Sequence, residues 1–174
     1  MTFTLFVCAV SIGNTEDFTK RVVDCLTNVR VIAAEDTRVA KNMIRMLGIN
    51  APKQYIRMDQ YQEKRGFYAF DSIICNEDIA FVTDAGTPGI SDPGAMLVAY
   101  CNQCSIKVEC LPGVSSITTF LSGAGFLMNS FYFFGFFPRK DGERYRLLKF
   151  LIQYNLNGVW FESPKRVLGL VKWL

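Results

Sequence analysis

The chain has 174 residues, of which 50% are hydrophobic and 20% are charged. This composition can bury a core and excludes an intrinsically disordered chain. The formal net charge of +3 is too small to identify a nucleic-acid-binding protein, because such proteins usually carry concentrated basic patches. The length is typical of about one domain, so any domain boundary has to come from the motifs.

Short apolar segments alternate with segments of helical period along the whole chain. The predicted strands are residues 3–10, 29–34, 55–58, 79–82, 106–111, 131–134 and 159–161. The predicted helices begin near Thr15, Val39, Glu63, Ala95, Ser115, Leu147 and Ser163. This alternation is typical of βαβ units, and it predicts an α/β fold with a parallel sheet.

Three local signals refine the helix ends. Thr15, followed by two acidic residues, predicts that the first helix starts there. Gly48 is expected to end the second helix in a left-handed conformation. Asp92 is expected to cap the helix that follows the fourth strand, with Pro93 in its first position.

The uncharged segment 110–138 is long enough to raise the question of a membrane span. Glycine, proline and hydroxyl side chains interrupt it, so it predicts a buried helix followed by a buried strand instead. The apolar start of the chain lacks a basic region and a cleavage site, which predicts no signal peptide and a cytoplasmic location.

The six cysteines lie mostly in apolar runs, which predicts buried free thiols. Cys101 and Cys104 form a single CxxC pair without a second pair or any histidine, so no metal site is predicted.

The distinctive sequences follow predicted strands. They are the pair Glu35 and Asp36, the loop 83–94, residues 112–116, and residues 162–164. In open α/β sheets, ligands bind beyond the carboxyl ends of the strands. These segments are therefore the predicted site.

The loop 83–94 contains three glycines and two prolines in twelve residues. Such a loop lets the backbone approach a ligand while it stays stiff. It lacks the P-loop lysine and the GxGxxG pattern, so a phosphate cradle is not indicated. A purely structural, rigid loop is the alternative interpretation.

Taken together, the motifs resemble the ribosomal RNA small subunit methyltransferase I family of the tetrapyrrole methylase superfamily. The matching segments, in order, are residues 11–14, 33–38, 83–94, 111–113, 135–140 and 162–166. The resemblance covers the whole chain, and the loop 83–94 together with the AEDTR segment 34–38 is its most specific part.

The resemblance implies two α/β domains, residues 1–113 and residues 114–174, of which the second is shortened. It implies methyl transfer from S-adenosylmethionine to the ribose 2′-hydroxyl of a cytidine in small-subunit ribosomal RNA. It also implies that the small (30S) subunit or its RNA is the partner and that the protein is a homodimer.

The resemblance also implies site residues by position. The residues expected to bind the cofactor are Asp84, Ala85, Gly86, Thr87, Pro88, Ser91, Asp92, Pro112, Gly113, Ser115 and Ser116. The residues expected to contact RNA phosphates are Arg38, Arg139, Lys140, Lys165 and Arg166.

The 2′-hydroxyl must lose a proton, and the chain has no histidine to accept it. Asp36 is the first candidate for this role and Glu35 the second, with helix capping or loop anchoring as the alternative for either. Two other functions stay open: a non-catalytic remnant of the enzyme, and a methyltransferase with a small-molecule acceptor such as a tetrapyrrole.

Overall fold

A computed structural model describes residues 3–127 and 129–174, which form two compact units. The division falls between Phe120 and Leu121. The domain boundary predicted after residue 113 lies a short way before this division.

The first unit contains a five-stranded parallel sheet in the order β3-β2-β4-β1-β5. Its strands are β1 (Thr4–Cys8), β2 (Val31–Ala34), β3 (Gln54–Arg57), β4 (Ile79–Val82) and β5 (Lys107–Leu111). Its helices are α1 (Lys20–Asn28), α2 (Thr37–Met46), α3 (Gln60–Arg65), α4 (Tyr68–Ile74) and α5 (Ala95–Gln103). The division between the units falls within α6 (Ser116–Gly123). The predicted α/β class with a parallel sheet is confirmed.

The sheet has a hydrophobic core on each face. Val22 and Leu26 of α1 and Met43 of α2 pack on one face. Phe70 of α4 and Leu97 of α5 pack on the other. All residues of β2 and β4 are buried because helices cover both faces, and this explains why these strands are continuous apolar runs in the sequence.

Four predicted helix boundaries are wrong and one is confirmed. The helix predicted from Leu147 begins earlier, at Asp141. The first helix starts at Lys20 with Thr19 as its cap, because residues 15–17 form a separate 3-10 turn capped by Asn14. The helix predicted from Glu63 is two helices, because Gly66 adopts φ +102° between them. Asp92 does not cap α5, whose N-cap is Gly94. Gly48 does follow α2 with φ +69°, as predicted.

The second unit contains two parallel strands, β6 (Tyr132–Phe136) and β7 (Gly158–Phe161), with α7 (Asp141–Gln153) and α8 (Pro164–Trp173). Gly135, at φ +67°, lies where the register between the strands shifts. Phe137 is 1% exposed, and its ring contacts the rings of Trp160 and Trp173. An aromatic cluster therefore forms the centre of this unit.

Two expectations about burial are corrected. The helix and the strand predicted within 110–138 are present, but β6 is only half-buried and Ile117 is the buried residue of α6. The cysteines are free, yet Cys75, Cys104 and Cys110 are exposed rather than buried.

Within the described part of the chain, no helix combines the length and the apolar character needed to cross a membrane.

Candidate active site

The loops after β1, β4 and β5 are joined by backbone hydrogen bonds. The Val10 and Gly86 amides each donate to the other's carbonyl, at N–O distances of 2.8 and 3.2 Å. The Ala9 amide donates to the Leu111 carbonyl at 3.3 Å. These hydrogen bonds hold the ends of β1, β4 and β5 together at the carboxyl edge of the sheet.

The loop 83–94 is also tied to the segment after β5. The Thr87 hydroxyl donates to the Val114 carbonyl at 3.0 Å, and the Gly89 amide donates to the Pro93 carbonyl at 3.0 Å. Ser91 is held at φ +63°, a left-handed conformation that costs free energy for a residue with a side chain. Strain of this kind is found where a loop is shaped for a ligand.

Two glycines are required by close backbone packing. A Cβ atom on Gly94 would lie 2.6 Å from the Phe81 ring, and Gly94 also has φ +125°. A Cβ atom on Gly113 would lie 2.9 Å from the Ala9 side chain. Neither position accepts a side chain, which keeps the loop after β4 against the sheet and the loop after β5 against the end of β1.

The amino end of α5 is capped by a distant carboxylate. Glu63 of α3 is buried, and its Oε1 accepts hydrogen bonds from the Gly94 amide at 2.9 Å and the Leu97 amide at 3.1 Å. This contact explains why the Asp92 side chain is not needed as a cap. It also fixes the last residue of the loop to a second element.

Three carboxyl groups at this edge have raised pKa values. Burial raises the pKa of Glu35, and the negative charges of Asp84 and Asp92 raise it further. Burial also raises the pKa of Asp84 and that of Asp92. These carboxylates are close enough to repel one another, so the edge favours a positively charged ligand.

Asp36 has a different environment from these three. Its carboxylate caps α2 by accepting from the Arg38 amide at 2.8 Å, and it pairs with the Arg38 guanidinium at 2.5 Å. These hydrogen bonds from Arg38 hold the pKa of Asp36 well below its usual range. The carboxylate is therefore a weak proton acceptor, and Arg38 has an anionic partner within the chain.

The structure brings the predicted residues of the first unit to this one edge. Glu35 and Asp36 follow β2, the loop 83–94 follows β4, and residues 112–116 follow β5. The remaining predicted cofactor-binding residues lie within these segments as well: Ala85, Pro88, Pro112, Ser115 and Ser116. A separate cavity of about 560 Å³ reaches residues that precede β2 and β4, such as Arg30 and Asp78, and lacks the predicted residues.

The predicted basic residues of the second unit share one cavity, with one exception. Arg139, Lys165 and Arg166 line a cavity of about 840 Å³. Lys140 does not line it and lies 3.9 Å from Glu143.

Sequence reasoning did not find Glu63, and it assigned no role to Glu162, although Glu162 lies in the predicted segment 162–164. Each contacts a predicted site segment, Glu63 through the amide of Gly94 and Glu162 through the side chain of Arg166. Glu63 lies in an ordinary charged helical segment, so nothing in the sequence marks it. Glu162 lies within a matching motif and could have been selected for that reason.

The chain matches the family described as Tetrapyrrole (Corrin/Porphyrin) Methylases over residues 4–174, and it belongs to that family. Its curated relatives include proteins named ribosomal RNA small subunit methyltransferase I. The one from Campylobacter fetus is 36% identical, over 97% of this chain and 64% of the relative. The one from Vibrio cholerae is 36% identical, over 94% of this chain and 56% of the relative. The one from Borrelia garinii is 39% identical, over 96% and 74%. The chain thus spans about three-fifths of the first two relatives.

Two solved structures support the fold assignment. A diphthine synthase aligns with a TM-score of 0.70 and 11% identity, covering 94% of this chain and 65% of that one. The methyltransferase CobJ aligns with a TM-score of 0.65 and 14% identity, covering 96% and 71%. At these identities the likeness concerns the fold.

Proposed function

We propose that the chain transfers a methyl group from S-adenosylmethionine to the ribose 2′-hydroxyl of a cytidine in small-subunit ribosomal RNA. The observation that carries the proposal is the edge where interlocked loops meet three carboxyl groups of raised pKa. Family membership and the names of the relatives supply the reaction class and the RNA substrate.

The residues at this edge fit S-adenosylmethionine. Its sulfonium and ammonium groups are cations, and Glu35, Asp84 and Asp92 present carboxylates. Gly86, at φ +77°, lets the backbone of the loop after β4 turn at this edge. The residues that would hold the cofactor are those predicted: Asp84, Ala85, Gly86, Thr87, Pro88, Ser91, Asp92, Pro112, Gly113, Ser115 and Ser116.

When bound, S-adenosylmethionine supplies a methyl group on a sulfur that is already a good leaving group. The chain's own task is then to hold the two reactants in line and to accept one proton. Glu35 is the better acceptor of the two predicted carboxylates, because its pKa is raised whereas that of Asp36 is lowered by Arg38. Asp36 then has a capping role.

The proposed partner is the small ribosomal subunit or its RNA, and the proposed location is the cytoplasm, where ribosomes are assembled. The relatives' printed names support the RNA partner. A homodimer is part of the same proposal.

Two linked measurements test the proposed function. The purified chain is titrated calorimetrically with S-adenosylmethionine, and methyl transfer is then measured on small ribosomal subunits that lack the modification. Binding with transfer to a ribose supports the proposal. Binding without transfer supports a non-catalytic protein, and transfer to a tetrapyrrole but not to RNA supports the small-molecule alternative.

A further inference from the structure

The second unit brings two distant basic segments side by side. β6 and β7 run parallel, and at the end of β7 the Phe161 carbonyl accepts a hydrogen bond from the Phe137 amide, which follows β6, at 2.9 Å. The segment 138–139 and the start of α8 therefore leave the sheet together. They line the cavity of about 840 Å³ described above, a volume within the usual range for small-ligand sites.

The cationic side chains of this cavity differ in how they are held. Arg144 is 17% exposed, donates to the Pro138 carbonyl at 2.9 Å, and lies over the Trp173 ring at 5.2 Å. It forms part of the wall. Arg139 and Lys165, in contrast, have no acidic partner within residues 3–127 and 129–174. Two unneutralised charges beside one cavity favour an anion.

Arg166 is oriented by a buried carboxylate. The Glu162 side chain is 6% exposed, and its Oε1 lies 2.5 Å from Arg166 Nη2 and accepts from the Ser163 amide at 2.6 Å. A guanidinium has five N–H donors, so this pairing through Nη2 restrains Arg166 and leaves other donors for a ligand. Glu162 therefore acts on the cavity through Arg166.

An exposed aromatic ring lies at the same cavity. Phe136 is 58% exposed and lines it next to Arg139 and Lys165. Exposed rings interleaved with basic side chains are typical of surfaces that bind single-stranded nucleic acid, because bases stack on the ring while cations contact the backbone.

We propose that this cavity is a binding site for a phosphodiester group of single-stranded RNA, with a base stacked on Phe136. Arg139, Lys165 and Arg166 contact the phosphate oxygens, and Glu162 is a positioning residue for Arg166. This inference rests on the proposed function for its choice of RNA as the anion.

The test measures fluorescence anisotropy of a labelled oligouridylate of about ten nucleotides on the full chain at several salt concentrations. Lys165→Ala is expected to weaken binding about fivefold and to lower the slope of log affinity against log salt by about 0.7, the value for one single-strand phosphate contact. Phe136→Leu is expected to weaken binding severalfold without changing the slope. An oligonucleotide with an uncharged methylphosphonate backbone should bind weakly to every variant.

Lys172→Ala is the matched control, since Lys172 is an exposed cation on the same helix and does not line the cavity. It is expected to leave binding and slope close to those of the unmodified chain. Equal losses in Lys165→Ala and Lys172→Ala would overturn the site, because they would indicate diffuse attraction.

The Glu162→Gln variant distinguishes the positioning of Arg166 by Glu162 from a simple effect of the negative charge of Glu162. Removing a negative charge near an RNA site should tighten binding if charge alone matters, whereas loss of positioning should weaken it. We expect weaker binding, and no additional loss when Glu162→Gln is combined with Arg166→Ala. Tighter binding, or fully additive losses, would contradict the positioning role.

The same variants are titrated with S-adenosylmethionine, which reports on folding and on the first unit. This inference fails and the proposed function stands if the cofactor binds and methyl transfer persists, but the cavity variants bind the oligonucleotide with unchanged affinity. If the cofactor does not bind, the proposed function fails, and the oligonucleotide data still decide the cavity.

Discussion

The parallel strands of the first unit end among acidic side chains, whereas those of the second unit end among basic side chains. At the carboxyl edge of the first unit, burial raises the pKa values of Glu35, Asp84 and Asp92. At the strand ends of the second unit, Arg139 and Lys165 line one cavity and lack acidic partners among the described residues. The same structural position, the end of a parallel strand, thus carries opposite charge in the two units.

Under the proposed function, this comparison explains how a chain of small net charge would bind two oppositely charged ligands. A sulfonium cofactor is a cation and an RNA backbone is an anion, so one strongly basic surface would suit only the second. Segregating the charges by unit suits both. Net charge alone therefore says little about such a protein.

The largest effect on stability is expected at Gly94, where the loop backbone has a positive φ and packs closely against the Phe81 ring. Gly94→Ala would place a Cβ atom 2.6 Å from the Phe81 ring at φ +125°, and should lower the free energy of unfolding by about 3 kcal/mol or more. The control is Gly142→Ala in the second unit, where nothing lies within 4 Å of the new Cβ; it should be neutral or stabilising. Urea unfolding measures both, and equal effects would contradict the packing argument.

The next effect concerns the proton acceptor. Glu35→Gln should lower the rate of methyl transfer about 100-fold, because general-base catalysis is lost. Asp36→Asn should lower it by less than about tenfold, since the Asp36 carboxylate is held by Arg38. Single-turnover methyl transfer distinguishes the two, and a larger loss in Asp36→Asn would reverse the assignment.

The pH dependence of the rate provides a second readout for Glu35. Because burial raises the pKa of Glu35, the rate should increase with pH through a value above the ordinary glutamate pKa of about 4.3. This increase should disappear in Glu35→Gln. An unchanged profile in that variant would exclude Glu35 as the base.

A smaller effect is expected from the distant cap of α5. Glu63→Ala leaves the amides of Gly94 and Leu97 without an acceptor, which should cost about 2 kcal/mol of unfolding free energy. Glu143→Ala on the exposed face of α7 is the control, and should change stability by less than about 0.5 kcal/mol. Chemical denaturation of both variants tests the contrast, which fails if Glu63→Ala is as mild as the control.

The smallest effect is expected for Asp92→Asn, which should change stability and cofactor binding in opposite directions. A carboxyl group with a raised pKa in the fold favours folding below its ordinary pKa, and this contribution is lost as pH increases through the raised value. At pH 7 the charged Asp92 therefore opposes folding, and Asp92→Asn should raise stability by up to about 0.5 kcal/mol. It should also weaken S-adenosylmethionine binding severalfold. Thermal unfolding at pH 7 measures the gain, and a loss of stability would contradict this sign.

Much of the fold was predictable because it depends on local patterns. Strand β4 was located at its observed bounds since its four residues are apolar and fully buried. The break at Gly66 was missed because a single glycine within a helical pattern does not by itself indicate a positive φ. Asp92 was a reasonable cap by composition, but Glu63 provides the cap from about thirty residues away.

The site was predictable only as a set of strand ends. The sequence places Glu35 and Asp36 next to each other with equal chemistry, and only their contacts distinguish them: Asp36 pairs with Arg38, and Glu35 lies near two other carboxylates. The cavity of the second unit depends on the pairing of β6 with β7, which brings Arg139 near Lys165. Such long-range relations are not encoded in any local window.

The most direct test of the charge segregation is a paired titration. Asp92→Asn and Lys165→Ala are each titrated with S-adenosylmethionine by calorimetry and with the labelled oligouridylate by anisotropy. We expect Asp92→Asn to weaken only cofactor binding and Lys165→Ala to weaken only RNA binding. The account would be contradicted if each substitution weakened the binding of both ligands equally. It would also be contradicted if Lys165→Ala weakened only the binding of S-adenosylmethionine.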